Sequence, residues 1–155
     1  MIDADAPAPS RAPDLEPSAP RPALTDMDIT IRFPGGKRVD ADLGVHVIHT
    51  DQPVSGGGEN SAPAPFELFL ASLATCTGLY VLGFCQARGI PTDGISVIQH
   101  SSPEVITLEL VLPDDFPERY RDAVVRAAEG CKVKKLLAHP PAITVMARQA
   151  AAEAA

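Results

Sequence analysis

The feature that most constrains this chain is one segment. From Pro65 to Gly89 the sequence is almost apolar all round, and Leu68 to Ala87 carries no charge. Pro65 suits a first helical turn and Gly89 a C-terminal cap, so the segment reads as one long helix. Glu67 lies near the positive end of its dipole and Arg88 near the negative end. A helix without a polar face is buried on most sides or crosses a membrane. Ser72, Thr75, Thr77, Tyr80 and the glycines interrupt the run, and no Lys/Arg cluster flanks it, which favours the buried reading. No membrane partner is therefore expected.

The flanking segments supply the rest of an α+β domain. Met27, Ile29, Ile31 and Phe33 alternate with polar residues, as a half-buried strand does. Pro34-Gly35-Gly36-Lys37 is a turn, Arg38 to Asp42 a second strand, and Leu43 to Thr50 a third. A Gly-rich loop from Asp51 to Ala62 leads into the helix. Beyond Gly94, Ile95 and Val97 mark a fourth strand, Ser101-Ser102-Pro103 a turn, and Val105 to Leu112 a fifth strand. Glu118 to Glu129 reads as a helix ended by Gly130, and Cys131 to Leu137 as a short helical turn. Ile143 and Val145 suggest a final strand. Strands in runs, interrupted by helices, define an α+β fold.

Six of the 16 prolines fall between Pro7 and Pro22, among alanines and acidic residues. Such a stretch buries too little to offset its ordering entropy. Residues 1–24 are expected to be a disordered tail, 25–148 the domain, and 149–155 a short Ala-rich end. The tail has neither a basic start nor an apolar stretch, so a secretory signal is not expected and a cytoplasmic location is. The net charge of −7 argues against a nucleic-acid partner, which requires a basic surface.

The chemistry-bearing residues are few. Three cysteines cannot all pair within one chain. Cys76 lies mid-helix among small residues that permit close approach. It is either an inert small hydrophobe or a nucleophile that a cation must hold as thiolate. Cys85, nine residues on, faces the opposite side of the helix at about 100° per residue. Cys131 follows Gly130 and precedes Lys132, Lys134 and Lys135, which either lower its pKa or form a solvated face. His46, His49, His100 and His139 have no zinc-like spacing with the cysteines, so no metal is expected. Gly56-Gly57-Gly58 lacks the Lys-Ser/Thr of a P-loop, and G-x-S-x-G does not occur. No cofactor is expected.

The run Pro65-Phe66-Glu67-Leu68-Phe69-Leu70-Ala71-Ser72-Leu73-Ala74-Thr75-Cys76 resembles the start of the central helix of the OsmC/Ohr family, the osmotically inducible and organic-hydroperoxide-resistance proteins. Cys131-Lys132-Val133-Lys134-Lys135 resembles that family's second cysteine segment. The order of elements fits as well, over roughly residues 26–147.

The resemblance implies antiparallel sheets around a long central helix in an intertwined homodimer, with sites at the interface. It implies a thiol-dependent hydroperoxide reductase acting in oxidative-stress defence. Cys76 would be peroxidatic, Cys131 resolving, and a dithiol reductant would restore both. Arg38 is the match to the family's activating arginine, and Phe66, Glu67, Phe69 and Tyr80 are the candidate substrate-binding residues. One departure stands out. The peroxidase branches carry a glutamate ten residues before the first cysteine, and this chain has Phe66 there. The alternative is a non-enzymatic dimer of the same fold that binds an apolar ligand or senses oxidants through Cys76.

Overall fold

The computed structural model describes residues 27–149. The expected tail over 1–24 and nearly all of the Ala-rich end lie outside the described residues. Two antiparallel sheets and one long helix form the frame. The first sheet has the order β1 (Thr30–Gly35), β2 (Arg38–Asp42), β3 (Val47–Thr50), and the second pairs β4 (Ser96–Ser101) with β5 (Ile106–Val111). The long helix α1 (Pro65–Gln86) lies between them in sequence, and α2 (Arg121–Ala128) and α3 (Lys132–Ala138) follow. The α+β expectation holds.

Several boundaries differ from the sequence reading. The third strand starts at Val47 rather than Leu43. Gly44 adopts a left-handed backbone (φ 85°), and its N–H donates to the Asp42 carboxylate at 2.9 Å, so 43–46 turn instead of extending. The helix expected from Glu118 opens as a 3-10 turn, Glu118–Tyr120, before α2 begins. The strand expected at Ile143 and Val145 does not form, and residues 139–149 have no regular structure. A strand exists only beside a hydrogen-bonded neighbour. Among the described residues these have none, and Val145 is 96% exposed.

The core forms where α1 meets α2. Val81, Phe84, Cys85, Phe116, Val124 and Ala128 are buried together, with Ile95, Val97 and Leu110 packed against them. Arg88 closes this end, its guanidinium 3.8 Å from the Phe84 ring centroid and one N–H on the Phe84 carbonyl at 3.1 Å.

The helix expected to be buried on most faces is buried along one stripe, at Leu73, Thr77, Val81, Phe84 and Cys85. That stripe faces α2, α3 and β4. The opposite side leaves Leu79 and Leu82 exposed, because among the described residues no element lies over it.

The first sheet is likewise half-covered. Its register sets Ile31, Ala41 and Ile48 in one row and Arg32, Asp40 and His49 in the next, on opposite faces. The second row is polar: the His49 ring lies 2.9 Å from the Asp40 carboxylate, and Arg32 pairs with Asp42 at 3.1 Å. The Gly44 N–H, then the Arg32 guanidinium, hold the Asp42 carboxyl below its ordinary pKa. Among the described residues, nothing covers the apolar row. Ile31 and Ile48 are exposed and Phe33 is 80% exposed.

The loop joining β3 to α1 is organised by one carboxylate. Asp51 is buried and accepts from the Ser61 N–H, the Ser61 hydroxyl, and the N–H groups of Gln52 and Glu59. These donors bring its pKa down to about 2 against the opposing effect of burial.

Candidate functional site

The long helix and the α2–α3 turn bring two thiols together. Cys76 lies partly exposed in the middle of α1. Cys131 sits at the N-cap of α3 and is fully buried. The turn that places it is tight. The Gly130 N–H bonds the Ala127 carbonyl at 2.9 Å and the Cys131 N–H the Ala128 carbonyl at 3.2 Å. A Cβ on Gly130 would come within 3.0 Å of the Tyr80 ring, so glycine lets the turn close on α1.

The Cys131 sulfur has polar neighbours on every element that meets it. Its thiol points to the Leu73 carbonyl at 3.9 Å. Burial pushes its pKa up. The Lys134 N–H, the Thr77 hydroxyl, the Cys76 thiol and the Val133 N–H act the other way and together bring it below the ordinary thiol value. The Cys76 thiol is thus one of the groups that favour the Cys131 thiolate. Peptide N–H groups lower this thiol. The Lys134 ammonium is instead paired with Glu129.

Cys85 occupies the core against α2. Burial raises its thiol pKa, which Arg88 only partly offsets, as befits an unreactive thiol.

The other candidate residues are placed as follows. Arg38 is exposed at the first hairpin, and its Nε donates to the Gly35 carbonyl of the same turn at 3.5 Å. Among the described residues, no hydrogen bond or ion pair joins it to a cysteine. Phe66 and Phe69 stack at a centroid distance of 5.7 Å. The Glu67 carboxylate accepts the Ala64 N–H at 2.8 Å, capping the start of α1. Tyr80 packs its ring on Gly130.

An open cavity of about 960 Å³ runs beside this cluster. Phe66, Leu70, Leu108, Leu110, Val125 and Leu137 make it apolar, with Glu104, Glu129 and Lys134 at its polar edge. Leu73 and Thr77 belong to both the cavity wall and the thiol cluster. Among the described residues, no group of three or more His, Cys, Asp or Glu side chains is arranged to hold a metal ion.

Thr77 and Asp51 escape a reading of the sequence alone. Thr77 looks there like one more polar interruption of an apolar helix. Its adjacency to Cys76 is the only hint of a role.

Two antiparallel sheets framing one long helix define the α+β class of this chain. The family model described as OsmC-like protein matches residues 57–146. The chain belongs to that family. No curated protein matches it.

Among solved structures, one from Psychrobacter arcticus, described as an osmotic stress induced and detoxification response protein, is 20% identical. The match covers 76% of this chain and 92% of that one, with a TM-score of 0.58, and establishes the shared fold. An organic hydroperoxide resistance protein from Legionella pneumophila is also 20% identical, covering 76% and 93% with a TM-score of 0.48. Another from Elizabethkingia anophelis is 19% identical, covering 76% and 91% with a TM-score of 0.49.

Proposed function

We propose that this protein is a thiol-dependent hydroperoxide reductase, with Cys76 the peroxidatic and Cys131 the resolving cysteine. The observation that carries the reading is the pairing of a partly exposed thiol with a buried one whose pKa is lowered. Membership of the OsmC-like family supports it.

The Cys76 thiolate attacks the distal oxygen of the hydroperoxide. An S–O bond forms, the O–O bond breaks, and the alkoxide leaves as alcohol after taking a proton. The Cys131 thiolate then attacks the sulfenic sulfur. The S–S bond forms, and the oxygen leaves as water. A dithiol reductant returns two electrons by exchange, and the cycle restarts. The apolar cavity suits a hydroperoxide with a hydrocarbon body.

The working unit in this reading is an intertwined homodimer in the cytoplasm. The open side of α1 and the uncovered Ile31–Ala41–Ile48 row are the surfaces a second copy would cover. The dimer is also what would bring an Arg38 to the thiols, where its guanidinium would hold Cys76 as thiolate and bind the peroxide.

The test is oxidation by one equivalent of an organic hydroperoxide, followed by mapping of the disulfide. The expected product links Cys76 to Cys131, and Cys76→Ser abolishes turnover. Turnover that survives Cys76→Ser removes the reading.

One observation favours a second reading, a ligand-binding or oxidant-sensing dimer without turnover. Phe66 stands on the cavity wall at the position where the peroxidase branches carry an acid. With excess dithiol present, this reading predicts that peroxide consumption stops after one equivalent.

A further inference from the structure

Thr77 is almost fully buried, at 2% exposure, and its hydroxyl donates to the Leu73 carbonyl at 2.9 Å. Back-bonding of this kind is ordinary for a helical threonine. Thr75 does the same two residues earlier, at 2.7 Å to Ala71, on the exposed side of the helix. What sets Thr77 apart is that its acceptor is shared. The same Leu73 carbonyl lies 3.9 Å from the Cys131 sulfur, contributed by a residue far along the chain. That carbonyl also accepts the Thr77 backbone N–H within the helix.

A neutral Cys131 is a donor, and Leu73 can take it. An ionised Cys131 can only accept, and a buried thiolate needs donors. The hydroxyl proton of Thr77 rotates about its C–O bond, and the hydroxyl and the sulfur face the same Leu73 carbonyl. The carbonyl keeps its helical N–H, so it is not left unpaired by the move.

We propose that Thr77 is the positioning residue for Cys131: its hydroxyl is held on the Leu73 carbonyl while Cys131 is a thiol and turns to the sulfur when Cys131 ionises. The depressed pKa of Cys131, to which the Thr77 hydroxyl contributes, agrees with this geometry.

The consequence for chemistry rests on the peroxidase reading given above. In the resolving step Cys131 attacks the Cys76 sulfenic sulfur, the S–S bond forms, and the S–O bond breaks. The proton lost by Cys131 leaves with that oxygen as water. In the reducing step a dithiol attacks the more accessible Cys76 sulfur, and Cys131 departs as thiolate. A hydroxyl that favours the thiolate eases both steps, since a leaving thiol of lower pKa leaves faster.

The decisive experiment needs no peroxide. In the full chain with Cys76→Ser and Cys85→Ala, Cys131 is the sole thiol, and its ionisation is followed by thiolate ultraviolet absorbance against pH. Adding Thr77→Val is expected to raise the midpoint by about one pH unit, tenfold in the thiolate ratio. Thr77→Ser restores the lower midpoint. Thr77→Ala repeats the test should the valine variant not fold. A midpoint unchanged by valine or alanine, or a serine variant that titrates like valine, overturns the proposal.

In the chain with all cysteines present, Thr77→Val is expected to close the disulfide, timed from the sulfenic acid once formed, about tenfold more slowly at neutral pH. Equal closure rates overturn the assigned role. A wild-type protein that consumes no peroxide removes the peroxidase reading instead, and the titration still decides for or against Thr77.

Discussion

The Asp51 carboxylate accepts both polar hydrogens of Ser61, the backbone N–H at 3.1 Å and the hydroxyl at 2.8 Å. This one side chain ties the end of β3 to the residues that lead into α1, and so helps to aim the helix that bears Cys76. Its pKa near 2 lies below the ordinary carboxylate value of 3.8. The stability it contributes is therefore complete above about pH 4 and is lost as pH falls through 2. Asp51→Asn is expected to lower the thermal midpoint at neutral pH and to flatten the loss of stability below pH 4. Thermal melts of both proteins from neutral to strongly acidic pH check this, and parallel profiles would show that Asp51 is not the group responsible.

The same loop tolerates no side chain at Gly58. A Cβ there would lie 2.0 Å from the Gln52 carbonyl oxygen, a contact that only backbone movement relieves. Gly58→Ala is expected to cost about 1–3 kcal/mol, as overpacking typically does. Denaturant midpoints measure it. A variant as stable as wild type would mean that the loop has room to shift.

Val124 reports on the seam between α1 and α2. It is fully buried, and Val124→Ala removes two methyl groups from that core. The expected loss is about 2 kcal/mol. It should appear as a lower denaturant midpoint at unchanged slope.

Thiol accessibility separates the three cysteines. With a bulky aromatic disulfide reagent, Cys76 is expected to react first in the native protein. The buried Cys85 and Cys131 are expected to react only on unfolding. One fast thiol and two slow ones is the outcome to look for. Rapid labelling of Cys85 would contradict its place in the core.

The uncovered sheet face makes the proposed dimer testable. Light scattering is expected to give twice the mass of the chain. Ile31→Lys, which puts a charge in the exposed apolar row, is expected to shift the protein towards monomer. A wild-type protein that scatters as a monomer at all concentrations would remove the dimer.

Much of the frame was legible because it rests on local rules. Pro65 and Glu67 open α1 as their types predict, and the turn at Pro34-Gly35-Gly36-Lys37 has its two glycines at positive φ. Arg38–Asp42 forms a strand over the residues its sequence predicts. Other readings fail where a single polar contact or a missing neighbouring strand decides. Leu43 to His46 alternate like a strand, but the Asp42 carboxylate captures the Gly44 N–H and turns the chain. Ile143 and Val145 alternate too, but alternation makes no strand without a neighbouring edge.

At the site the division is similar. The two cysteines stood out by type and by the segments around them. Their closeness did not, because it depends on how α3 returns across α1, with Cys131 55 positions after Cys76.

What the sequence determined by itself is therefore the set of elements, the long apolar helix and the identity of the thiols. Hydrophobic period, turn residues and cap residues act over a few neighbours, and a reader of the chain sees all of them. Only the tertiary structure decided which side of that helix is covered, that Cys131 is buried beside Cys76, and that Thr77 and Leu73 supply its polar surroundings. Those facts depend on the packing of segments far apart in the chain, where a buried sulfur takes whatever donors and acceptors the fold brings to it.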